Sequence, residues 1–327
     1  MTVDFFNILG FFVFITGVCI GSFLNVVALR AFSGESIVLP PSKCPKCGEK
    51  IKPYDNIPII SYLILQGKCR NCKMPISIQY PIVEFLTGLG FLGFYSYYCN
   101  NFFLKGDIVN GLILFPFFII LFCLSMIIAI TDIKEKVVFD VHTIALAVVI
   151  LIFQFFAGNI VQALIGLVTG VLCMEILSGF GWLLVKKRAF GTGDSYIAAS
   201  MGALLGAKMF IIALVVAAII QVLCIIPSFV KKLYQAKEYR ALYASALFFL
   251  LLILYKTPIF GNTTQVMSYI FIILMTITGL YLCRLILTIK SLKENPTYWP
   301  FGPCLLISMF LVAFHGGIIE HFLISLF

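Results

Sequence analysis

Residues 108–130 read IVNGLILFPFFIILFCLSMIIAI, a run of apolar residues without a single charged side chain. The hydrocarbon core of a bilayer requires about 20 consecutive apolar residues in an α-helix, so this run predicts a transmembrane helix. Other runs predict further spans, one of which (195–207) is short and is interpreted as a half-helix or a re-entrant segment. The predicted spans are 5–29, 82–99, 108–130, 141–157, 160–185, 195–207, 209–230, 241–256, 266–289 and 301–324. The predicted fold class is therefore all-α, a polytopic integral membrane helical bundle of about 8–10 transmembrane segments.

The composition of the whole chain agrees with a membrane protein. Of its 327 residues, 61% are hydrophobic and only 11% are charged, whereas soluble domains have about 45–50% apolar and about 25% charged residues. These proportions exclude a cytosolic enzyme, a disordered protein and a small secreted domain held by disulfides. The net charge of +9 would favour a nucleic-acid ligand in a soluble protein. Here it is expected to set membrane orientation, and no nucleic-acid partner is predicted.

Basic residues are distributed unevenly between the two sides of the predicted bundle. If the N-terminus lies outside, 20 of the 23 Lys and Arg residues fall in loops on one side, leaving only Lys105, Lys208 and Lys256 on the other. Cytoplasmic loops carry such an excess of basic residues. The loops predicted to face the cytoplasm are 30–81, 131–140, 186–194, 231–240 and 284–300. No basic segment precedes the first apolar run, so the first helix is expected to be retained rather than removed as a signal peptide.

The long polar loop at residues 31–81 contains two CxxC pairs. Cys44-Pro45-Lys46-Cys47 is followed, after 21 intervening residues, by Cys69-Arg70-Asn71-Cys72. This spacing is typical of a tetrahedral zinc site, in which four thiolates leave no open position for catalysis and the metal is structural. The alternative is two redox-active pairs or disulfides, which a reducing cytoplasm disfavours. The loop is therefore predicted to be a small zinc-binding cytoplasmic domain.

Two aspartates lie where predicted spans meet the cytoplasm. Asp132 follows the third span, and Asp194 follows a Gly191-Thr192-Gly193 turn. A carboxylate costs about 3 kcal/mol in a bilayer, so acids at span ends require an explanation. Two carboxyl groups sharing one proton provide a general base for water and an acid for a peptide carbonyl. The structural alternatives are that Asp194 caps the following helix and that Asp132 is an ordinary interfacial acid.

Two other acids have different interpretations. Asp140 is expected to mark the start of the next helix. Glu175 falls within a predicted span and is interpreted either as a buried hydrogen-bonding residue or as part of a second polar pocket.

An ordered set of motifs resembles the bacterial prepilin peptidases, also called type IV leader peptidases. Asp132 with Asp140 matches the family's first aspartate motif, and Gly191-Thr192-Gly193-Asp194 matches its GxGD motif. The other matching segments are Gly21-Ser22-Phe23-Leu24-Asn25-Val26-Val27, the two CxxC pairs, Tyr54-Asp55-Asn56-Ile57-Pro58, Tyr80-Pro81-Ile82-Val83-Glu84 and Pro300-Phe301-Gly302-Pro303.

The resemblance implies a bifunctional enzyme of the bacterial inner membrane. Such enzymes cut the leader of type IV prepilins and type II secretion pseudopilins on the cytoplasmic side, just after a glycine. They then N-methylate the new terminal residue with S-adenosylmethionine as methyl donor. By position, Asp132 and Asp194 would be the catalytic aspartates, and Cys44, Cys47, Cys69 and Cys72 the zinc ligands. Glu84 and Arg30 are only candidates for contacts to the methyl donor, and a homodimer is a further expectation.

The resemblance also divides the chain into three parts. Residues 1–30 would form the first transmembrane helix, 31–81 the zinc-binding loop linked to N-methylation, and 82–327 the peptidase core with C-terminal helices.

Some residues depart from the family pattern. Ser195-Tyr196 follows the GxGD motif where the family usually has an apolar residue and a lysine, and Phe139 replaces a proline. Residues 231–299 add helices or loops to the compact pattern. These departures keep open an inactive scaffold that uses its zinc loop for docking. A transporter or channel with ion-binding acids is a further class, but it predicts acids nearer the bilayer midplane and broken helices in paired repeats, which the sequence does not show.

Overall fold

A computed structural model describes residues 2–38, 41–186, 190–254, 273–274, 276–279, 281 and 299–326. Within these residues the chain is helical, and it contains two isolated β-bridges but no strand. The helices are α1 (Thr2–Ser33), α2 (Ile60–Ile64), α3 (Gln79–Tyr98), α4 (Ile108–Glu135), α5 (Asp140–Phe156), α6 (Ile160–Val185), α7 (Thr192–Gln235), α8 (Tyr239–Leu254) and α9 (Gly302–Leu326). The predicted all-α fold class is confirmed.

The helices follow the predicted spans. Within the described ranges, five helices are long and apolar enough to cross a membrane. They are Phe6–Ser33, Ile108–Glu135, Ile160–Leu183, Thr192–Gln235 and Gly302–His321, and the apolar helix α5 is shorter. These helices fit a polytopic membrane protein. Most of the predicted span 266–289 lies outside the described residues.

The short predicted segment 195–207 is the first part of α7. Gly206 has a φ of 77° and a ψ of 166°, which are not helical, so α7 consists of two helical pieces that meet at a kink. The break deprives carbonyl groups just before it of their helical donors. The side-chain amide of Gln154 in α5 donates to the carbonyl oxygens of Ala203 and Leu204, at 3.2 Å each. The Gln154 side chain therefore satisfies carbonyl groups at the end of the first piece of α7, which corresponds to the predicted half-helix.

The chain forms two compact units, Met1–Phe210 and Ile211–Phe327. The first unit contains α1 to α6 and the first piece of α7, and with them every predicted site residue. In the second unit, Gln221 donates to the carbonyl oxygen of Trp299 at 2.8 Å and accepts from the Cys304 thiol at 3.0 Å.

Helix α1 packs closely along α3 in the first unit. A Cβ atom on Gly21 would lie 2.9 Å from the Cα of Glu84 and from the side chain of Thr87, so only glycine fits there. Toward the end that carries the cysteine loop, α1, α3 and α4 share one apolar cluster. Its buried members are Leu24, Ala28, Val83, Ile127 and Ile130. This packing holds the end of α4, which carries Asp132, beside α1.

Helix α6 approaches the backbone of the first piece of α7 closely at two glycines. A Cβ on Gly166 would collide with the carbonyl oxygen of Gly202, and one on Gly170 with that of Ala198. Small residues allow such close approach of membrane helices, which associate largely through van der Waals packing. The piece of α7 that begins with the GxGD motif is thereby fixed against α6.

We expect Gly166→Val to destabilise the first unit, because the new side chain must push α7 away. Overpacking of this kind costs about 1–3 kcal/mol. Gly179→Val is the matched control, since Gly179 lies on the same helix and has no atom within 4 Å of an added Cβ. Unfolding of the purified protein in SDS–detergent mixtures measures the effect. Equal midpoints for the two variants would contradict the close contact.

Candidate functional site

The four cysteines of the predicted zinc loop converge. The sulfur atoms of Cys44, Cys47, Cys69 and Cys72 all lie within 4.8 Å of one another, and the Cys44 and Cys72 sulfurs are 3.9 Å apart. A zinc ion bound by thiolates at about 2.3 Å in a regular tetrahedron separates its sulfurs by about 3.8 Å. All four cysteines are free rather than disulfide-bonded. The donor set therefore fits tetrahedral zinc, and the disulfide alternative is not observed.

Each cysteine pair sits in the same kind of turn. The Cys44 N–H donates to Glu49 and the Gly48 N–H donates back to Cys44, both at 2.9 Å. In the second turn the Cys69 N–H donates to Met74 at 2.8 Å and the Lys73 N–H donates to Cys69 at 3.1 Å. Both turns close on a residue with positive φ, 73° at Gly48 and 58° at Lys73.

The first turn favours a thiolate, the form that binds metal. Backbone N–H groups of Cys47 and Lys46 lower the pKa of the Cys44 thiol from 9.0 to about 6. The turn therefore favours the metal-binding form of the Cys44 sulfur.

An ion pair joins the middle of the loop to the second cysteine turn. The Arg70 guanidinium donates to both oxygens of Asp55, with distances from 2.6 to 3.0 Å, and lies over the ring of Tyr54. Hydrogen bonding from Arg70 holds the pKa of the Asp55 carboxyl below its ordinary value. This bidentate geometry closes the loop across the segment between the cysteine pairs.

The cysteine loop is also tied to the membrane helices. The Ile59 N–H donates to the Glu84 carboxylate at 2.7 Å, and Glu84 is buried in the first turns of α3. Ile59 has φ 62° and ψ −53°, an unfavourable conformation for a β-branched residue. The bond to Glu84 therefore holds a strained loop segment against the helix bundle.

Asp132 lies in the last turns of α4 and is only 4% exposed. The helix ends at Lys136, which has left-handed backbone dihedrals and donates its N–H to the Asp132 carbonyl at 3.0 Å. The carboxyl is thus buried, which does not fit the alternative of an ordinary interfacial acid. Asp140, as expected, begins the next helix.

Asp194 lies in the first turn of α7 and is 9% exposed. Its carboxylate accepts from the Gly191 N–H at 3.2 Å. The helix begins at Thr192 rather than after Asp194, so the carboxylate reaches back to the helix start from its third residue. The capping alternative is therefore correct in part, because Asp194 does satisfy a backbone donor at this terminus.

The segments that carry the two aspartates contact each other. A Cβ on Gly193 would lie 2.5 Å from the Cβ of Val138, so the GxGD turn rests directly on the segment between α4 and α5. The neighbouring Phe139 ring lies 5.1 Å from the Phe32 ring at the end of α1. A side chain at the second glycine of the motif would therefore force these two segments apart. It was not predicted, because no pattern in the sequence links Gly193 to Val138.

A further polar contact lies beside Asp194. The Ser195 hydroxyl donates to the Glu175 carboxylate of α6 at 3.0 Å. Glu175 is exposed on the surface of the first unit and is therefore a hydrogen-bonding residue but not a buried one. Tyr196, at the position where the family usually has lysine, is 46% exposed.

Two models of protein families match the two parts of the chain that contain the cysteine loop and the two aspartates. The model of the bacterial peptidase A24 N-terminal domain matches residues 15–98, and that of the type IV leader peptidase family matches residues 119–226. The first match includes the cysteine loop, and the second includes Asp132 and Asp194. No solved structure matches the chain.

Several curated relatives bear the name prepilin leader peptidase/N-methyltransferase. One from Myxococcus xanthus is 37% identical over 59% of this chain and 55% of its own length. One from Neisseria gonorrhoeae is 34% identical over 59% of this chain and 72% of its own length. One from Klebsiella pneumoniae is 33% identical over 60% of this chain and 85% of its own length.

These names agree with the enzyme predicted from the motifs, a prepilin peptidase with N-methyltransferase activity. They do not favour the transporter or scaffold alternatives. On the family models and the relatives together, this chain belongs to the type IV leader peptidase family.

Proposed function

We propose that the chain cleaves the leader peptide of type IV prepilins with Asp132 and Asp194 as its catalytic pair. The observation that carries the proposal is the contact between Gly193 and Val138, which joins the two segments bearing these buried carboxyl groups. Both groups lie at helix ends. Hydrolysis needs water, which reaches the ends of membrane helices far more readily than their middles.

The two helix termini favour different protonation states, and therefore different roles, for the two carboxyl groups. A helix carries partial positive charge at its N-terminus and partial negative charge at its C-terminus. Asp194 lies in the first turn of α7, where an anion is favoured, and Asp132 lies near the end of α4, where a neutral acid is favoured. We therefore assign Asp194 as the general base and Asp132 as the general acid.

In this mechanism Asp194 takes a proton from water as the water oxygen attacks the scissile carbonyl carbon. Asp132 donates its proton to the carbonyl oxygen, so that the tetrahedral species is neutral. Collapse breaks the C–N bond, and the proton held on Asp194 passes to the departing amine nitrogen. The carbonyl forms again as its proton returns to Asp132, so both carboxyl groups regain their starting states.

We also propose that the chain methylates the new N-terminus with S-adenosylmethionine as donor. When bound, S-adenosylmethionine would supply an electrophilic methyl group to the neutral amine and would leave as the uncharged thioether. In this scheme Cys44, Cys47, Cys69 and Cys72 hold a structural zinc ion that shapes the loop, and the methyl transfer takes place in the N-terminal part of the chain. The zinc site is supported by the similar hydrogen bonding of the two CxxC turns and by the convergence of their four sulfur atoms.

The proposed location is the bacterial inner membrane, with the cysteine loop and the aspartate pair facing the cytoplasm. The distribution of basic residues supports this orientation. As partners we propose prepilins, type II secretion pseudopilins, membrane lipid and a second copy of the chain. Residues 1–30, 31–81 and 82–327 remain our proposed division into first helix, zinc loop and peptidase core.

The test is incubation of the purified full chain in nanodiscs with a prepilin and isotope-labelled S-adenosylmethionine. Mass spectrometry is expected to show a product that begins after the leader glycine and carries one labelled methyl group. An uncut prepilin would refute the peptidase proposal, and a cut but unlabelled product would refute the methyltransferase proposal.

The glycine contact at the aspartate pair makes a separate prediction. Gly193→Ala is expected to lower leader cleavage by about 10-fold or more, because its Cβ would displace the Asp194 segment from Val138. Gly179→Ala is the control, because no atom lies within 4 Å of a Cβ added at this glycine of α6. Initial cleavage rates at equal amounts of inserted protein measure the difference. Equal rates for the two variants would mean that this contact does not position Asp194.

A further inference from the structure

A cavity of about 370 Å³ lies between α1 and the cysteine loop. Its α1 side is formed by residues spaced three or four apart, which share one face of the helix. These residues are Cys19, Ser22, Phe23, Val26 and Arg30. The opposite side comes from the loop, including Ser42 just before the first cysteine pair and Asn56 between the two pairs. The volume lies in the range of small-molecule sites, about 300–1,000 Å³.

The lining has the mixed character of a site for a zwitterionic nucleoside. Phe23, Val26 and neighbouring loop residues supply apolar surface, while Ser22, Ser42 and Asn56 supply hydrogen-bonding groups. Among the lining residues in the described part of the chain, Arg30 is the only one with a charged side chain.

Arg30 is held in place before any ligand binds. Its Nη1 atom donates to the carbonyl oxygens of Ser36 at 2.6 Å and Ile37 at 3.1 Å. A guanidinium has five N–H donors in a fixed planar fork, so two carbonyl contacts at one nitrogen orient the whole group. A cation oriented in this way suits a carboxylate, with which a guanidinium forms strong charge-assisted hydrogen bonds.

Glu84 stabilises the wall of the cavity through contacts with both α1 and the cysteine loop. This buried carboxylate accepts from the Ile59 N–H and also interacts with the Ser22 hydroxyl, so it joins the two sides of the cavity. Pro58, which lines the cavity, directly precedes the strained Ile59. Strained backbone of this kind persists only where surrounding contacts hold it, and it is concentrated at functional sites.

We propose that this cavity is the binding site for S-adenosylmethionine, with the carboxylate of its amino-acid part on the Arg30 guanidinium and its adenosine against the Phe23–Val26 face of α1. The inference rests on the proposed methyltransferase function, to which it adds a location and a charged contact. Because Ser42, Asn56 and Pro58 belong to the cysteine loop, it also explains how a structural metal would support methylation without touching the reacting atoms.

The first test compares binding of S-adenosylmethionine with binding of its decarboxylated analogue. Isothermal titration calorimetry on the full chain in phosphatidylcholine nanodiscs gives both dissociation constants for the wild type and for Arg30→Gln. We expect the variant to bind S-adenosylmethionine at least about 10-fold more weakly and to bind the analogue within about 3-fold of the wild type. Equal weakening for both ligands, or for neither, would overturn the carboxylate contact.

A second pair of variants tests the cavity without relying on a charge. Val26→Trp fills the space and is expected to reduce S-adenosylmethionine binding by at least about 10-fold. Val168→Trp is the matched control, because Val168 is 52% exposed on α6, and this variant is expected to bind as the wild type does. Zinc content of each sample shows whether the loop is folded. Unchanged binding by a folded Val26→Trp variant would exclude the cavity.

Two further outcomes separate this inference from the proposed function. A wild-type sample that methylates a prepilin while both cavity variants bind the donor normally would leave the methyltransferase standing and remove the site. A wild-type sample that binds no S-adenosylmethionine would remove both, whereas leader cleavage by the same sample would still support the peptidase. The lipid composition separates a second possible ligand. If phosphatidylglycerol nanodiscs, unlike phosphatidylcholine nanodiscs, abolish S-adenosylmethionine binding by the wild type but not by Arg30→Gln, the cavity instead binds an anionic lipid headgroup.

Discussion

Asp132→Asn and Asp194→Asn are each expected to lower prepilin leader cleavage by at least about 100-fold, the usual size of a general acid–base contribution. Each carboxyl group performs a proton transfer that an amide cannot perform, and each is buried where solvent replaces it poorly. The substitutions change the shape of the side chain very little. Membrane insertion and detergent stability are therefore expected to stay close to those of the wild type. The measurement is the initial rate of leader removal in membranes with matched enzyme levels.

Asp107→Asn is the control for these variants. Asp107 directly precedes the first residue of α4, at the opposite end of the helix from Asp132, and it is exposed. Its carboxylate accepts hydrogen bonds from the side-chain amide of Asn110 at 2.9 and 3.0 Å. Its substitution removes an acid from the same helix and should leave cleavage unchanged. Wild-type rates in Asp132→Asn or Asp194→Asn would eliminate the aspartate pair, and a loss of activity in Asp107→Asn would indicate a general effect of charge.

The helix-dipole assignment adds a finer expectation for the same pair. If Asp194 is the base, Asp194→Glu should retain more cleavage than Asp194→Asn, because a carboxylate remains at the helix N-terminus. The acidic limb of the pH–rate profile, which reports the base in the free enzyme, should shift in Asp194→Glu. An unchanged acidic limb would assign the base to the other carboxyl group.

The helices could be predicted from the sequence because the bilayer imposes a simple length requirement on apolar runs. The boundary of the run at 108–130 and the Gly-Thr-Gly turn placed Asp132 and Asp194 at helix ends, where the structure has them. The kink at Gly206 agrees with the short predicted segment. Local composition is sufficient for such features, since each depends on residues that are neighbours in the sequence.

The contacts that build the site could not be predicted in the same way. Gly193 rests on Val138, and Ile59 donates to Glu84, yet each of these pairs is far apart in the sequence. Their approach depends on which helices pack together, and apolar periodicity does not decide this when every helix is apolar on most faces. The resemblance to a family supplied the residues, but it did not supply the partners that hold them.

The cysteine loop could be predicted from the sequence only in part. Its spacing predicted the convergence of four sulfurs, because each CxxC turn is local and a metal site needs only two of them to meet. The brace from Arg70 to Asp55 and the wall that the loop contributes to the cavity required the structure. The loop is thus connected to one proposed reaction through the cavity, whereas Asp132 and Asp194 are carried by α4 and α7.

This separation predicts that Cys47→Ser will impair methylation much more than cleavage. Structural zinc contributes roughly 10–16 kcal/mol of apparent binding energy in small zinc domains, so loss of one of four thiolates should release the metal and unfold the loop. The cavity loses the wall formed by Ser42 and Asn56, while α4 and α7 still hold their carboxyl groups. We expect methyl incorporation to fall by at least about 10-fold and leader cleavage by less than about 3-fold.

Metal analysis and a two-product assay on the same sample test this prediction. The wild type and Cys99→Ser, which changes a cysteine outside the four-sulfur cluster, are expected to contain about one zinc ion per chain, and Cys47→Ser well under half of that. Added zinc should not restore methylation in Cys47→Ser, because the missing ligand rather than the metal supply is limiting. Wild-type protein without zinc, or a Cys47→Ser variant that retains it, would refute the metal site. Equal loss of both reactions would instead mean that the loop supports the aspartate pair as well, because the Glu84–Ile59 bond connects the loop to α3, which packs with α1 and α4.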